Sequence, residues 1–283
     1  MPSSVASSVR GSVHAWLRRA LVALPVFCAA ALAAPAARAN PRPLPFTYIY
    51  ETLPHGDAEV ELYTDLTPQR LLDADGNAGW HLASQFQVEI EYGITDRLEL
   101  GLYLTLQPVD LDFPGAPDLG EGNGVKQRLR YRFADSGVWP VDVAVYGELT
   151  ENQREFEIEG KVILQRRVGP FRIAANLWAE REYTYSGEAS WVLNPTAGVV
   201  YEKWFNFQPG IEYWMRGELE DGKFAVGPAH YLGPTAILQF GKIWWSTGAY
   251  LQVNHVHAPT PVAGVEDTPF GPFWVRTIVG ISY

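Results

Sequence analysis

The sequence predicts an all-β protein, an antiparallel transmembrane β-barrel of 12 strands. Three observations carry this reading: long runs of two-residue alternation, connections that alternate between long and short, and an export-type start combined with an aromatic last residue.

The alternation is clearest at residues 80–94. Trp80, Leu82, Phe86, Val88, Ile90, Tyr92 and Ile94 are separated by His81, Gln85, Gln87, Glu89 and Glu91. Next, Leu98, Leu100, Leu102, Leu104 and Leu106 alternate with Glu99, Gly101, Tyr103, Thr105 and Gln107. Period two sends each set to its own face of a strand. Runs of about ten residues suit a tilted strand crossing a bilayer.

The same pattern predicts strands over 57–66, 79–93, 97–107, 125–134, 140–150, 155–168, 171–184, 190–202, 205–218, 230–240, 243–255 and 272–283. Long or polar connections fall at 67–78, 108–124, 151–154, 185–189, 219–229 and 256–271, and short ones at 94–96, 135–139, 169–170, 203–204 and 241–242. An even strand count with both termini on the periplasmic side places every long connection outside, the arrangement of bacterial outer-membrane barrels. Aromatic residues near strand ends, among them Trp80, Phe133, Trp139, Trp191, Trp204, Phe205, Trp244 and Trp245, read as interfacial girdles. Pro195, Pro209 and Pro234 sit inside predicted strands, where proline cannot donate to the ladder, so bulges are expected there. Residues 46–53 form a further extended stretch that parity keeps out of the wall.

Residues 1–39 read as a cleaved signal peptide. Arg10, Arg18 and Arg19 form the positive region, 20–33 the apolar region, and Ala37-Arg38-Ala39 the small-x-small cleavage site. Residues 40–56 form a segment at the periplasmic mouth or inside the lumen, and 57–283 the barrel. Cys28 is the only cysteine, so the processed chain has no disulfide, thiolate metal site or cysteine nucleophile. The full chain has 22 basic and 32 acidic residues; four of the arginines and no acid lie in 1–39, which leaves 18 against 32. Such a chain is a poor nucleic-acid binder.

The last residues, Val275-Arg276-Thr277-Ile278-Val279-Gly280-Ile281-Ser282-Tyr283, place Val275, Val279, Ile281 and Tyr283 on one face. This resembles the C-terminal signal of outer-membrane proteins, which implies the barrel assembly machinery as a partner. The stretch from Tyr48 to Glu61 (Tyr-Ile-Tyr-Glu-Thr-Leu-Pro-His-Gly-Asp-Ala-Glu-Val-Glu) resembles the start of a functionally uncharacterised family of outer-membrane barrel proteins. That resemblance implies the fold and outer-membrane residence and lends no activity.

Two charged groups are candidate sites. Lys126, Arg128, Arg130 and Arg132 share the lumen face of one strand. A turn centred near Gly137 sets Arg132 opposite Asp142 and Lys126 opposite Glu148, and leaves Arg130 facing Ala144 and Arg128 facing Tyr146 without an acidic partner on that side. Guanidinium forks suit carboxylate and phosphate groups. The second group, Glu157, Glu159, Glu180 and Glu182, pairs across 155–168 and 171–184 at the outer mouth; it reads as a cation-attracting vestibule or as solvated carboxylates at a wet rim. His255 and His257, with Glu266 and Asp267, make a weak metal motif in a loop, and no metal or cofactor is assigned. No nucleophile elbow, phosphate loop or HExxH is present, and no enzyme is expected. The functional expectation is a channel for small polar solutes, with anionic ones favoured by Arg128 and Arg130. Its rivals are a closed structural or surface-interaction barrel with a plugged lumen, and a barrel-wall hydrolase.

Overall fold

The computed structural model describes residues 40–73, 75–108, 123–204, 206–254 and 270–283. The signal segment and the His255/His257 loop lie outside the described residues. The strands are β1 (Ala58–Leu72), β2 (Ala78–Thr95), β3 (Leu98–Leu106), β4 (Gly124–Arg132), β5 (Asp142–Asn152), β6 (Glu155–Val168), β7 (Phe171–Thr184), β8 (Ala189–Leu193), β9 (Thr196–Tyr201), β10 (Phe207–Glu220), β11 (Lys223–Phe240), β12 (Ile243–Gln252) and β13 (Phe273–Ser282).

Apart from β8 and β9, which do not pair with each other, consecutive strands pair antiparallel, and β1 closes onto β13 from Glu59↔Ser282 to Leu66↔Val275. β8 and β9 are two pieces of one wall position: both pair with β7 on one side and β10 on the other. The result is a closed barrel of 12 wall positions. The break falls at Asn194-Pro195, where Pro195 has no N–H to contribute. Pro234 acts more mildly: the β11–β12 ladder lapses between Leu232↔Leu251 and Thr235↔Gly248 and resumes in the same register. Pro209 stays within β10, paired to Ala236 on the β11 side.

Two predicted long connections are shorter than expected. β1 and β2 continue pairing to Leu72↔Ala78, and β10 and β11 continue to Glu220↔Lys223. The second hairpin turns at Asp221-Gly222, both with positive φ (49° and 76°), the two-residue geometry that matches strand twist. The parity of the connections is unchanged.

The apolar phase faces outward. Leu62, Ile90, Leu102, Leu129, Leu177 and Leu251 are exposed, while their polar neighbours Glu61, Glu89, Glu91, Gln87, Arg128 and Arg130 are buried. This inversion, oily outside and charged inside, is what a hydrocarbon solvent imposes. Trp80, Trp139, Trp191, Trp204 and Trp245 are exposed as girdle residues. Trp244 is not: it is fully buried, because consecutive strand residues point to opposite faces, and its indole donates to Glu59 at 3.0 Å. Phe205 lies outside the described residues.

Candidate functional site

The interior is occupied by residues 42–53. Arg42, Leu44, Phe46, Thr47, Tyr48, Ile49, Tyr50 and Leu53 are all buried, yet the segment belongs to no strand. Its main chain is satisfied by wall side chains instead. Phe46 and Thr47 N–H donate to Glu212 on β10 at 3.0 and 2.5 Å. Tyr48 N–H donates to Asn176 on β7 at 2.7 Å, and the Asn176 amide returns a bond to Tyr48 O at 2.9 Å. Tyr50 N–H donates to Gln165 on β6 at 3.2 Å, and Leu53 N–H to Glu99 on β3 at 2.7 Å. A buried backbone amide needs a partner, and here four wall strands supply acceptors in place of a ladder.

Apolar side chains of the segment fit small wall residues. Leu44 packs with Ala174 and Val200 and over Gly198, where a β-carbon would meet its methyls at 2.7 Å. Phe46 stacks on Trp214 at 4.5 Å between centroids and packs with Tyr250 and Trp274. Tyr48 and Tyr50 pack with Ala144, Tyr146 and Ile163. A cavity of about 30 Å³ remains between Arg42, Tyr48 and the wall residues Lys126, Tyr146, Lys161 and Trp178, room for about two waters.

Beside the segment lies a buried ionic network. Arg128 donates to Glu89 and Glu99, each at 2.7 Å, and to Glu91, while Arg130 pairs with Glu99 at 2.7 Å. Arg42 sits 3.7 Å from Glu61 and donates to the Tyr63 hydroxyl at 2.6 Å, which in turn donates to Glu89 at 2.6 Å. These charges are fully buried, so each depends on its partners.

The expected partnerships of the basic strand therefore need correction. Arg128 and Arg130 do not lack acidic partners; the partners come from β2 and β3, on the side away from β5. Arg130 lies opposite Glu99 and Arg128 opposite Gly101, whose missing side chain lets the guanidinium cross to β2. The alternating Glu89, Glu91 and Glu99 were a visible signal for this. The β4–β5 register also differs by two residues: Arg132 faces Ala144, Arg130 faces Tyr146, Arg128 faces Glu148 and Lys126 faces Thr150. The turn is centred on Val138 rather than Gly137, and moving a hairpin's centre by one residue moves every partner by two. Asp142 accepts from Ser136 Oγ at 2.9 Å and Gly137 N–H at 2.7 Å, and Arg132 pairs with Asp135 at 2.8 Å. Lys126 nevertheless reaches Glu148 diagonally at 3.4 Å.

Glu157 lies opposite Glu182 and Glu159 opposite Glu180. Neighbours relieve the like-charge contact. Glu159 pairs with Lys161, Glu180 accepts from Asn194 at 2.7 Å, and Glu182 accepts from Ser190 at 2.9 Å and lies 3.9 Å from Arg216. At the short-turn end, Glu51 bridges Arg167 at 2.6 Å and Arg172 at 3.4 Å, and both arginines also bind Glu202. Burial disfavours the Glu51 carboxylate, but Arg172 and Arg167 outweigh it and hold its pKa below the ordinary value.

No protein-family model matches the sequence, and no curated protein matches it. Among solved structures, the chain is similar to the NanC porin (TM-score 0.53, 9% identity, covering 78% of this chain and 98% of that one). It is also similar to an outer-membrane channel from Pseudomonas putida F1 (TM-score 0.50, 15% identity, covering 83% and 98%). At these identities the likeness is one of fold: the chain has the closed β-barrel architecture of bacterial outer-membrane proteins.

Proposed function

We propose that this protein resides in the bacterial outer membrane and conducts small polar solutes, with residues 42–53 holding the channel shut until they leave the lumen. The observation that carries the reading is how those residues are held. Their backbone bonds go to side chains of Glu212, Asn176, Gln165 and Glu99, so the segment can withdraw without breaking any ladder bond of the wall. The exposed apolar face supports residence in a bilayer, and the solved structures with this fold include a porin and a channel. An anion preference set by Arg128 and Arg130 is not part of the proposal, because Glu89, Glu91 and Glu99 neutralise both. Tyr283 is proposed as the residue the barrel assembly machinery reads.

The test is conductance in planar bilayers. The processed protein should be mostly closed, and a chain lacking residues 41–53 should conduct steadily. Glu212→Ala, which removes the acceptor for two plug amides and for the Tyr250 hydroxyl while leaving every ladder bond of the wall in place, should raise the open fraction. A folded barrel that stays silent in both variants would instead favour the closed structural barrel. That rival is supported by the density of buried ion pairs in the lumen.

A further inference from the structure

We propose that the α-ammonium group created by cleavage between Ala39 and Asn40 is a ligand of the buried Glu59–Glu61–Glu91 carboxylate cluster, and that this contact seats the plugging segment in the processed protein. The inference rests on the export and cleavage reading and deepens the account of the plug.

Carboxylate oxygens of Glu59, Glu61 and Glu91 lie within 4.8 Å of one another, and all three residues are buried. Cations are short there. Among the described residues, the positive partners in the network of Glu59, Glu61, Glu89, Glu91 and Glu99 are Arg42, Arg128 and Arg130, and Arg128 is shared among three carboxylates. Glu59 is bound by neutral donors, Ser282 Oγ and Trp244 Nε1, and has no side-chain cation of its own among the described residues. Glu61 Oε1 and Glu91 Oε2 are buried without a hydrogen-bond partner. Clustered carboxylates in a low-dielectric interior must either take up protons or gain a compensating charge.

The Asn40 nitrogen is already at this place. It donates to Glu59 Oε2 at 3.3 Å, and the Asn40 side chain donates to Glu51 O at 3.3 Å. In the uncut chain that nitrogen is an amide with one hydrogen and no charge. Hydrolysis by an exported-protein peptidase adds one water across the 39–40 bond. Ala39 leaves with the carboxylate, and the Asn40 nitrogen takes the protons that make it –NH3+. It then has three donors and a full charge beside Glu59. Two residues on, Arg42 enters the same network, so the start of the plug is tied down by consecutive cations. Processing of the leader and closure of the lumen become one coupled event.

The experiment uses protein purified from outer membranes, with its first residue established by mass, and an N-hydroxysuccinimide acetate probe near neutral pH, where lysines stay protonated. In the folded protein the Asn40 α-amine should react at least about tenfold more slowly than in urea, the equivalent of one pKa unit of protection. Glu59→Gln should restore most of the reactivity, with lysine labelling unchanged; Glu61→Gln serves if that variant does not fold. Protein acetylated while unfolded and then refolded should lose its boiling-dependent mobility shift at lower temperature than the free-amine form, and Glu59→Gln should abolish that difference. Equal α-amine reactivity in the folded wild type and Glu59→Gln would overturn the proposal, as would a chain that begins at another residue. Neither readout involves conductance, so failure of the channel reading is scored separately.

Discussion

The guanidinium of Arg128 lies across Gly101: a β-carbon at that glycine would stand 2.6 Å from Arg128 Nε and 2.6 Å from the Glu89 carboxylate it binds. The gap in β3 lets a β4 cation reach the carboxylates of β2, so one residue ties three strands together from inside the barrel.

Removing that tie should be costly. Arg128→Met leaves Glu89, Glu91 and Glu99 buried with one fewer cation, and breaking a buried pair from one side costs about 3–5 kcal/mol. Gly101→Ala should cost about 1–3 kcal/mol by forcing the guanidinium aside. Urea titration of the folded barrel would check both. Losses under about 0.5 kcal/mol, typical of surface changes, would show the network to be unimportant.

The two wall faces should respond differently to charge. Arginine at Leu102, on the exposed apolar phase, should cost about 2–4 kcal/mol near the bilayer midplane. Ala144→Arg points inward, where Ala144 packs with Tyr48 and Tyr50. It should displace the plug and raise the open fraction in bilayer recordings. Identical behaviour of the two variants would mean that the faces are assigned wrongly.

Closure should weaken in acid. The Glu51 pKa lies below the ordinary carboxylate value because Arg172 and Arg167 outweigh its burial. A lowered carboxylate pKa contributes stability that is fully present above the unfolded value and is lost as pH falls through the folded one. Open probability should therefore be flat from neutral down to the ordinary carboxylate range and rise below it. Glu51→Gln should remove that component of the acid response and raise opening at neutral pH.

Salt gives an independent check on the same latch. Arg167 is 40% exposed, so screening reaches its bridge to Glu51. The open fraction of the wild type should rise with ionic strength more steeply than that of Glu51→Gln. Parallel salt curves for the two proteins would rule out the latch as a control point.

The sequence by itself determined the barrel. Alternation at Leu98–Leu106, the parity of the connections and the polar phase of Lys126–Arg132 follow from a period of two and from the hydrocarbon surrounding the wall, both local to each strand. It also placed Glu159 opposite Glu180, because the tight 169–170 turn leaves one register; it predicts bulges alike at Pro195, Pro209 and Pro234, and only the structure shows that, of the three, the strand breaks at Pro195 alone. It did not determine what fills the bore. That Arg128 is matched by Glu89 on a strand it does not adjoin depends on Gly101 leaving space. That Tyr48 hydrogen-bonds Asn176, 128 residues away, depends on the barrel closing around the segment. Periodicity assigns a side chain to a face; only the closed tertiary structure decides which inward-facing groups meet across the lumen, because that is set by barrel diameter, register and the volume left for residues 42–53.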